Sequence, residues 1–278
     1  MIARLPGNYL LDEPDDESER FGGQPQVVRF RLPTSRVIAT WILLGINIAM
    51  FLLSVGLSLL WFGDFGPHPA VLFMLGWKSN LLIMSGEYWR LLTSMFLHGN
   101  LMHIAFNGYA LFILGTENER IYGTLRFLVI YFLAGFSGSI ASYGLSSAPS
   151  VGASGAIFGL IGSLGIFFYQ SRGILGDIGR NQLQGIIVVA VINIVFGFTI
   201  GGGIIDNYAH LGGLAGGTLA GWLLVPRYGV ERVGFTPRLV RRYAPWGWYG
   251  IAALVVLLIG LTWLITRHYQ SLPFVPLS

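Results

Sequence analysis

Val151-Gly152-Ala153-Ser154-Gly155-Ala156-Ile157-Phe158-Gly159 is a run of small and apolar residues that carries a single hydroxyl. A serine at the start of an apolar segment commonly caps a helix, its oxygen accepting from an orphan backbone N–H. Here glycines flank it, so other backbones can come close to Ser154. A second glycine-rich apolar run lies downstream and holds one imidazole, Ala209-His210-Leu211-Gly212-Gly213. A serine and a histidine in two such segments form a candidate nucleophile and base, provided that the segments pack side by side.

Working outward, the whole composition points to a bilayer. Of 278 residues, 54% are hydrophobic and only 11% charged, and the mean hydropathy is +0.65. Water-soluble domains carry about 25% charged residues. The chain has no cysteine, which excludes disulfides, thiol nucleophiles and thiolate-bound metals. Its net charge of +4 is accounted for by membrane topology and gives no reason to expect nucleic acid.

Residues 1–36 are polar and combine an acidic cluster (Asp12, Glu13, Asp15, Asp16, Glu17, Glu19) with Arg20, Arg29, Arg31 and Arg36. This composition predicts a disordered cytoplasmic tail. No short cleavable apolar region precedes the first long one, so a signal peptide is not expected. Seven segments then reach spanning length, at about 38–62, 92–115, 124–146, 153–171, 184–201, 205–225 and 246–266. The connection at about 63–91 holds Trp77, Tyr88, Trp89 and Arg90, a pattern suited to the membrane interface. Placing the N-terminus in the cytoplasm leaves only Lys78, Arg90 and Arg267 on the outer face; every other basic residue falls inside. The positive-inside rule therefore selects that orientation and puts the C-terminus outside. Ser154 and His210 then share one depth near the outer ends of their helices.

Gly213, Gly217 and Gly221 recur every fourth residue behind His210, and Gly155, Gly159 and Gly162 make a similar face behind Ser154. Two such faces allow close helix contact. A third polar group lies in the second span: His98, His103 and Asn107. His103 and Asn107 are one turn apart and share a face. Their N–H groups could serve as oxyanion donors to a carbonyl attacked by Ser154. A zinc site built from His98, His103 and His210 is the competing reading. The chain lacks a His-Glu-x-x-His helix, and zinc would leave Ser154 without a role.

Taken together these stretches resemble the rhomboid family of intramembrane serine proteases. The resemblance rests on Gly152-Ala153-Ser154-Gly155, Ala209-His210-x-Gly-Gly, His98…His103…Asn107, Trp89-Arg90, and Leu114-Gly115 followed by Glu119-Arg120. It covers about residues 38–226. It implies an all-α polytopic bundle of six helices (37–226) plus a seventh at 246–278, joined by a basic cytoplasmic linker, 227–245. It also implies Ser154 as nucleophile and His210 as general base, with His103, Asn107 and the Ser154 N–H as the oxyanion hole. His98, Phe158, Gly152 and Gly213 would support the site. Trp89 and Arg90 would anchor the first loop, and Glu119 would hold a structural contact. Phe158 stands where many relatives have a tyrosine stacked on the histidine. Gly201-Gly202-Gly203 fits a mobile cap. Transmembrane proteins in the lipid bilayer are the implied substrates, the plasma (inner) membrane is the expected location, and no cofactor is required.

Two other classes compete. A non-catalytic rhomboid-like scaffold or chaperone would bind transmembrane clients, but such relatives typically lack the serine or the histidine. A transporter would place polar groups at mid-membrane in two similar halves, and no internal repeat is visible here. Nothing in the sequence specifies the oligomeric state or a purpose for the seventh span.

Overall fold

The structure is a computed structural model that describes residues 2–4, 29–31, 34–199, 205–233 and 236–272. Most of the polar N-terminal stretch and the Gly201-Gly202-Gly203 cap lie outside the described residues. Two short strands, β1 (Ile2–Arg4) and β2 (Arg29–Arg31), pair antiparallel.

Helix α1 (Ala39–Phe62) has no side-chain cap of its own. Its orphan N–H groups are met from far along the chain by Glu119. The amides of Ile38 and Ala39 donate to Glu119 Oε1 at 3.0 and 2.9 Å, and that of Thr40 to Oε2 at 2.8 Å. The hydroxyls of Thr40 and Thr124 donate to the same carboxylate. A carboxylate at a helix N-terminus satisfies the free amides and the positive end of the dipole together. Glu119→Gln presents an amide N–H₂ to these donors, leaving buried groups unpaired. It should destabilise the protein by at least about 2 kcal/mol, read as a lowered unfolding temperature in detergent.

The first loop is built from short helices, α2 (Pro69–Leu75), α3 (Asn80–Met84) and α4 (Arg90–Thr93), ending in a 3₁₀ turn at Ser94–Phe96. Arg90 is buried and ties this loop together. Its Nε donates to Glu87 at 2.7 Å and its Nη1 to the Phe73 carbonyl at 2.7 Å. Trp89 packs beneath the guanidinium, 4.6 Å from ring centre to Cζ, and its outer side is exposed.

Helix α5 (Leu101–Ala110) starts at Asn100, whose side chain accepts from the His103 amide at 2.8 Å. A π turn (Leu111–Gly115) joins it to α6 (Thr116–Tyr122). The second long helical stretch therefore begins later and ends later than its hydropathy suggests. Residues 92–100 belong to the loop, because Asn100 caps the helix, and polar Asn118 and Glu119 are carried inside it by buried partners.

Helix α7 (Thr124–Leu145) precedes α8 (Ser154–Thr199), which breaks at Gly176 with φ 55° and ψ −134°. At 1.5 Å per residue, α8 runs about 69 Å, roughly twice the hydrocarbon thickness. The break divides it into the two segments expected at 153–171 and 184–201, each longer than predicted. Helix α9 (Asn207–Leu224) follows, then a hairpin of β3 (Arg227–Val233) and β4 (Thr236–Arg242), and finally α10 (Gly247–Ser271). The basic stretch read as a linker thus forms antiparallel strands. Arg241 fastens the hairpin to the bundle by donating to the Ile121 carbonyl at 3.2 Å. Among the described residues four helices, α1, α7, α8 and α10, are long and apolar enough to cross a membrane.

The centre of the bundle is α9, gripped between α7 and α8. Its Gly212 and Gly216 lie on α7 at Gly138 and Ser137, while Gly213 and Gly217 lie on the backbone of α8 at Gly155 and Gly159. In lipid no hydrophobic force drives helices together, so such contact relies on van der Waals packing between close backbones.

Candidate active site

At one end of this seam the start of α8 meets the start of α9. Ser154 is the first residue of α8 and His210 the fourth of α9. A Cβ on Gly155 would stand 3.2 Å from the Ala209 carbonyl oxygen, and one on Gly213 would overlap the Gly155 backbone. One turn into α8, Phe158 stacks on the His210 ring, with centroids 4.2 Å apart and planes at 14°. The structure therefore brings Phe158, Gly213 and His210 together beside the first turn that bears Ser154. Among the described residues no hydrogen bond joins Ser154 to His210, and the buried Nδ1 of His210 has no partner.

The segment before Ser154 is pinned to the first loop. The Gly152 amide donates to the Ser94 carbonyl at 2.9 Å. Gly152 has φ +125°, a conformation that only glycine adopts freely. A Cβ there would lie 2.6 Å from His103 Nε2 and 3.3 Å from Asn107 Nδ2. Both side chains thus press on the backbone two residues ahead of Ser154. The Asn107 amide nitrogen is buried without a partner, a donor free to meet an incoming oxygen. His98 is fully buried and stands edge-on to His103, with centroids 5.1 Å apart at 72°. Gly152→Ala should strain this turn and displace both donors, costing about 10²-fold in turnover. Steady-state cleavage kinetics on folded protein would measure it.

Glu119 lies at the opposite end, about 24 Å along the helical stretch from His103 at 1.5 Å per residue. It organises α1 and takes no part in this cluster. His98, His103 and His210 do not form a metal-binding group, and no three His, Cys, Asp or Glu side chains converge in that way among the described residues.

Several residues that frame the cluster carry little signal in the sequence. Lys78 is buried in the first loop, its Nζ donating to the carbonyls of Ser142, Ser146 and Ala148 at 3.2, 2.8 and 2.8 Å. Asp206 caps α9 by accepting from the Ala209 amide at 3.0 Å, and it also accepts from the Ser142 hydroxyl. The one legible sign was an aspartate at the start of a helix three residues before Ala209. Helix α10, which had no assigned purpose, reaches the same end. Tyr269 donates to the Tyr143 carbonyl at 3.0 Å, and Gln270 to that of Met84 at 3.0 Å.

The fold and the buried polar cluster define a polytopic helical membrane protein with a serine and a histidine on facing helices. The Rhomboid domain family model matches residues 85–227. The rhomboid protease GluP of Bacillus subtilis (strain 168) is 44% identical over 182 residues, covering 65% of this chain and 34% of GluP. YdcA of the same organism is 34% identical over 187 residues, 65% of this chain and 89% of YdcA. RHOMBOID-like protein 5 of Arabidopsis thaliana is 30% identical over 226 residues, 75% of this chain and 72% of that protein. The chain belongs to the rhomboid family. It spans about a third of the length of GluP.

Proposed function

We propose that this chain is an intramembrane serine endopeptidase that cuts transmembrane proteins near the outer membrane face. The observation that carries this reading is the Phe158–His210 stack at the join of α8 and α9. An imidazole held flat against that ring has its rotation restricted, beside the turn that begins with Ser154. The name of GluP as a rhomboid protease supports the same reading.

In this mechanism His210 takes the Ser154 proton as the hydroxyl oxygen attacks the scissile carbonyl. His103, Asn107 and the Ser154 amide then stabilise the oxyanion. His210 next protonates the leaving amine, and the acyl-enzyme forms. Water, deprotonated by His210, releases the product acid and restores the serine. Among the described residues none partners the buried Nδ1 of His210, so Phe158 supplies the orientation that a carboxylate gives in triads. The mechanism needs no cofactor. Substrate helices need weakened hydrogen bonding near the cut, because an intact helix shields its peptide bonds.

The distribution of arginines supports an N-terminus in the cytoplasm and a C-terminus outside, in a plasma or bacterial inner membrane. A serine-reactive fluorophosphonate tests the reading against a client-binding scaffold. Covalent labelling at Ser154, blocked by a competing transmembrane substrate and indifferent to a chelator, is the expected result. Substrate binding without any labelling would favour the scaffold.

A further inference from the structure

We propose that Lys78, Ser142 and Asp206 form a register pin that sets the height of His210 against Ser154, which makes them positioning residues for the reaction. This rests on the serine–histidine reading above. The reason a pin is needed lies in the glycine faces. Gly212, Gly213, Gly216 and Gly217 let α9 approach α7 and α8 closely, yet they offer few side-chain teeth against axial sliding. A slide of one residue moves His210 by about 1.5 Å along its axis.

The three residues join both halves of the site at one point. Lys78 is paired through its backbone with Ser150, four residues before Ser154, with N–H···O distances of 3.0 and 3.4 Å. Its ammonium meets the carbonyls of Ser142, Ser146 and Ala148, closing the negative end of α7. The Ser142 hydroxyl, in that same last turn, donates to the Asp206 carboxylate. Asp206 in turn caps the positive end of α9, one turn before His210. A cation on one helix end and an anion on the other, bridged by a serine, oppose the sliding that glycine surfaces permit. Tyr269 of α10 and Asn80 brace this corner on the Tyr143 carbonyl, at 3.0 and 3.1 Å.

The test uses full-length protein in liposomes with a tagged transmembrane substrate. Ser142→Ala removes the bridge and leaves the α9 cap intact. Asp206→Ser keeps a capping side chain but is too short and uncharged to serve the pin. Each should lower kcat by about 10²-fold, the scale of a misplacement of about 1 Å. KM should stay within about twofold, because substrate binding is not removed. The chain has no cysteine, so spin labels at Leu145→Cys on α7 and Leu219→Cys on α9 report their register. Their distance distribution should broaden in both variants.

Unchanged kcat in folded Ser142→Ala and Asp206→Ser overturns the pin, as does a loss of kcat with an unchanged distance distribution. If Asp206→Ser fails to fold, Ser142→Ala decides alone. A Ser154→Ala control separates the two levels: wild-type cleavage by that control sinks the serine mechanism itself, whereas an inactive control with active pin variants sinks only the pin.

Discussion

Ser154→Ala is expected to abolish substrate cleavage, with a fall in kcat of at least about 10³-fold and no change in folding. The hydroxyl is the atom that the proposed reaction consumes and regenerates, so its loss removes the covalent route altogether. The side chain is half-buried at the first position of α8, which makes alanine structurally mild. His210→Ala should be comparably inactive, but it also removes the partner of the Phe158 stack, and a modest loss of stability should accompany it. The assay is cleavage of a tagged transmembrane substrate in liposomes, with thermal unfolding measured in parallel. Equal cleavage by Ser154→Ala would reject the mechanism.

The second large effect is on packing. A Cβ on Gly217 would overlap the Cα and carbonyl oxygen of Gly159. Both are backbone atoms, so no rotamer change relieves the clash and α8 must move away from α9. Gly217→Ala should therefore cost about 3 kcal/mol, the upper part of the range for overpacked cores, and depress activity by separating Ser154 from His210. Gly45 on α1 is the control, since a Cβ there meets nothing within 4 Å. Alanine at Gly45 should be neutral or slightly stabilising, given the higher helix propensity. Similar unfolding temperatures for Gly217→Ala and Gly45→Ala would refute the packing argument.

The glycine faces show how far local sequence carries a fold. A four-residue glycine repeat behind His210 and a similar glycine face behind Ser154 pointed to close helix contact, because helical periodicity is a local property. Which glycine meets which backbone is not local. The pairing of Gly217 with Gly159, and of Gly212 with α7 on the other side, follows from three helices packing at once. The same holds for the extent of the second helical stretch. Hydropathy placed its start at about residue 92, whereas the Asn100 cap and the loop held by Arg90 delay it to Leu101.

By itself the sequence determined the membrane setting, the approximate places of the long helices, the family resemblance and the serine and histidine to examine. Each depends on composition, periodicity or short motifs, which neighbouring residues encode. Tertiary structure decided the long-range polar partners. Glu119 caps α1 across 79 to 81 positions, and Lys78 reaches carbonyls 64 to 70 residues away. Seen as single letters, these are one acid and one base in a hydrophobic chain. Their roles exist only because burial makes every unpaired polar group costly and folding brings distant backbone groups to meet them.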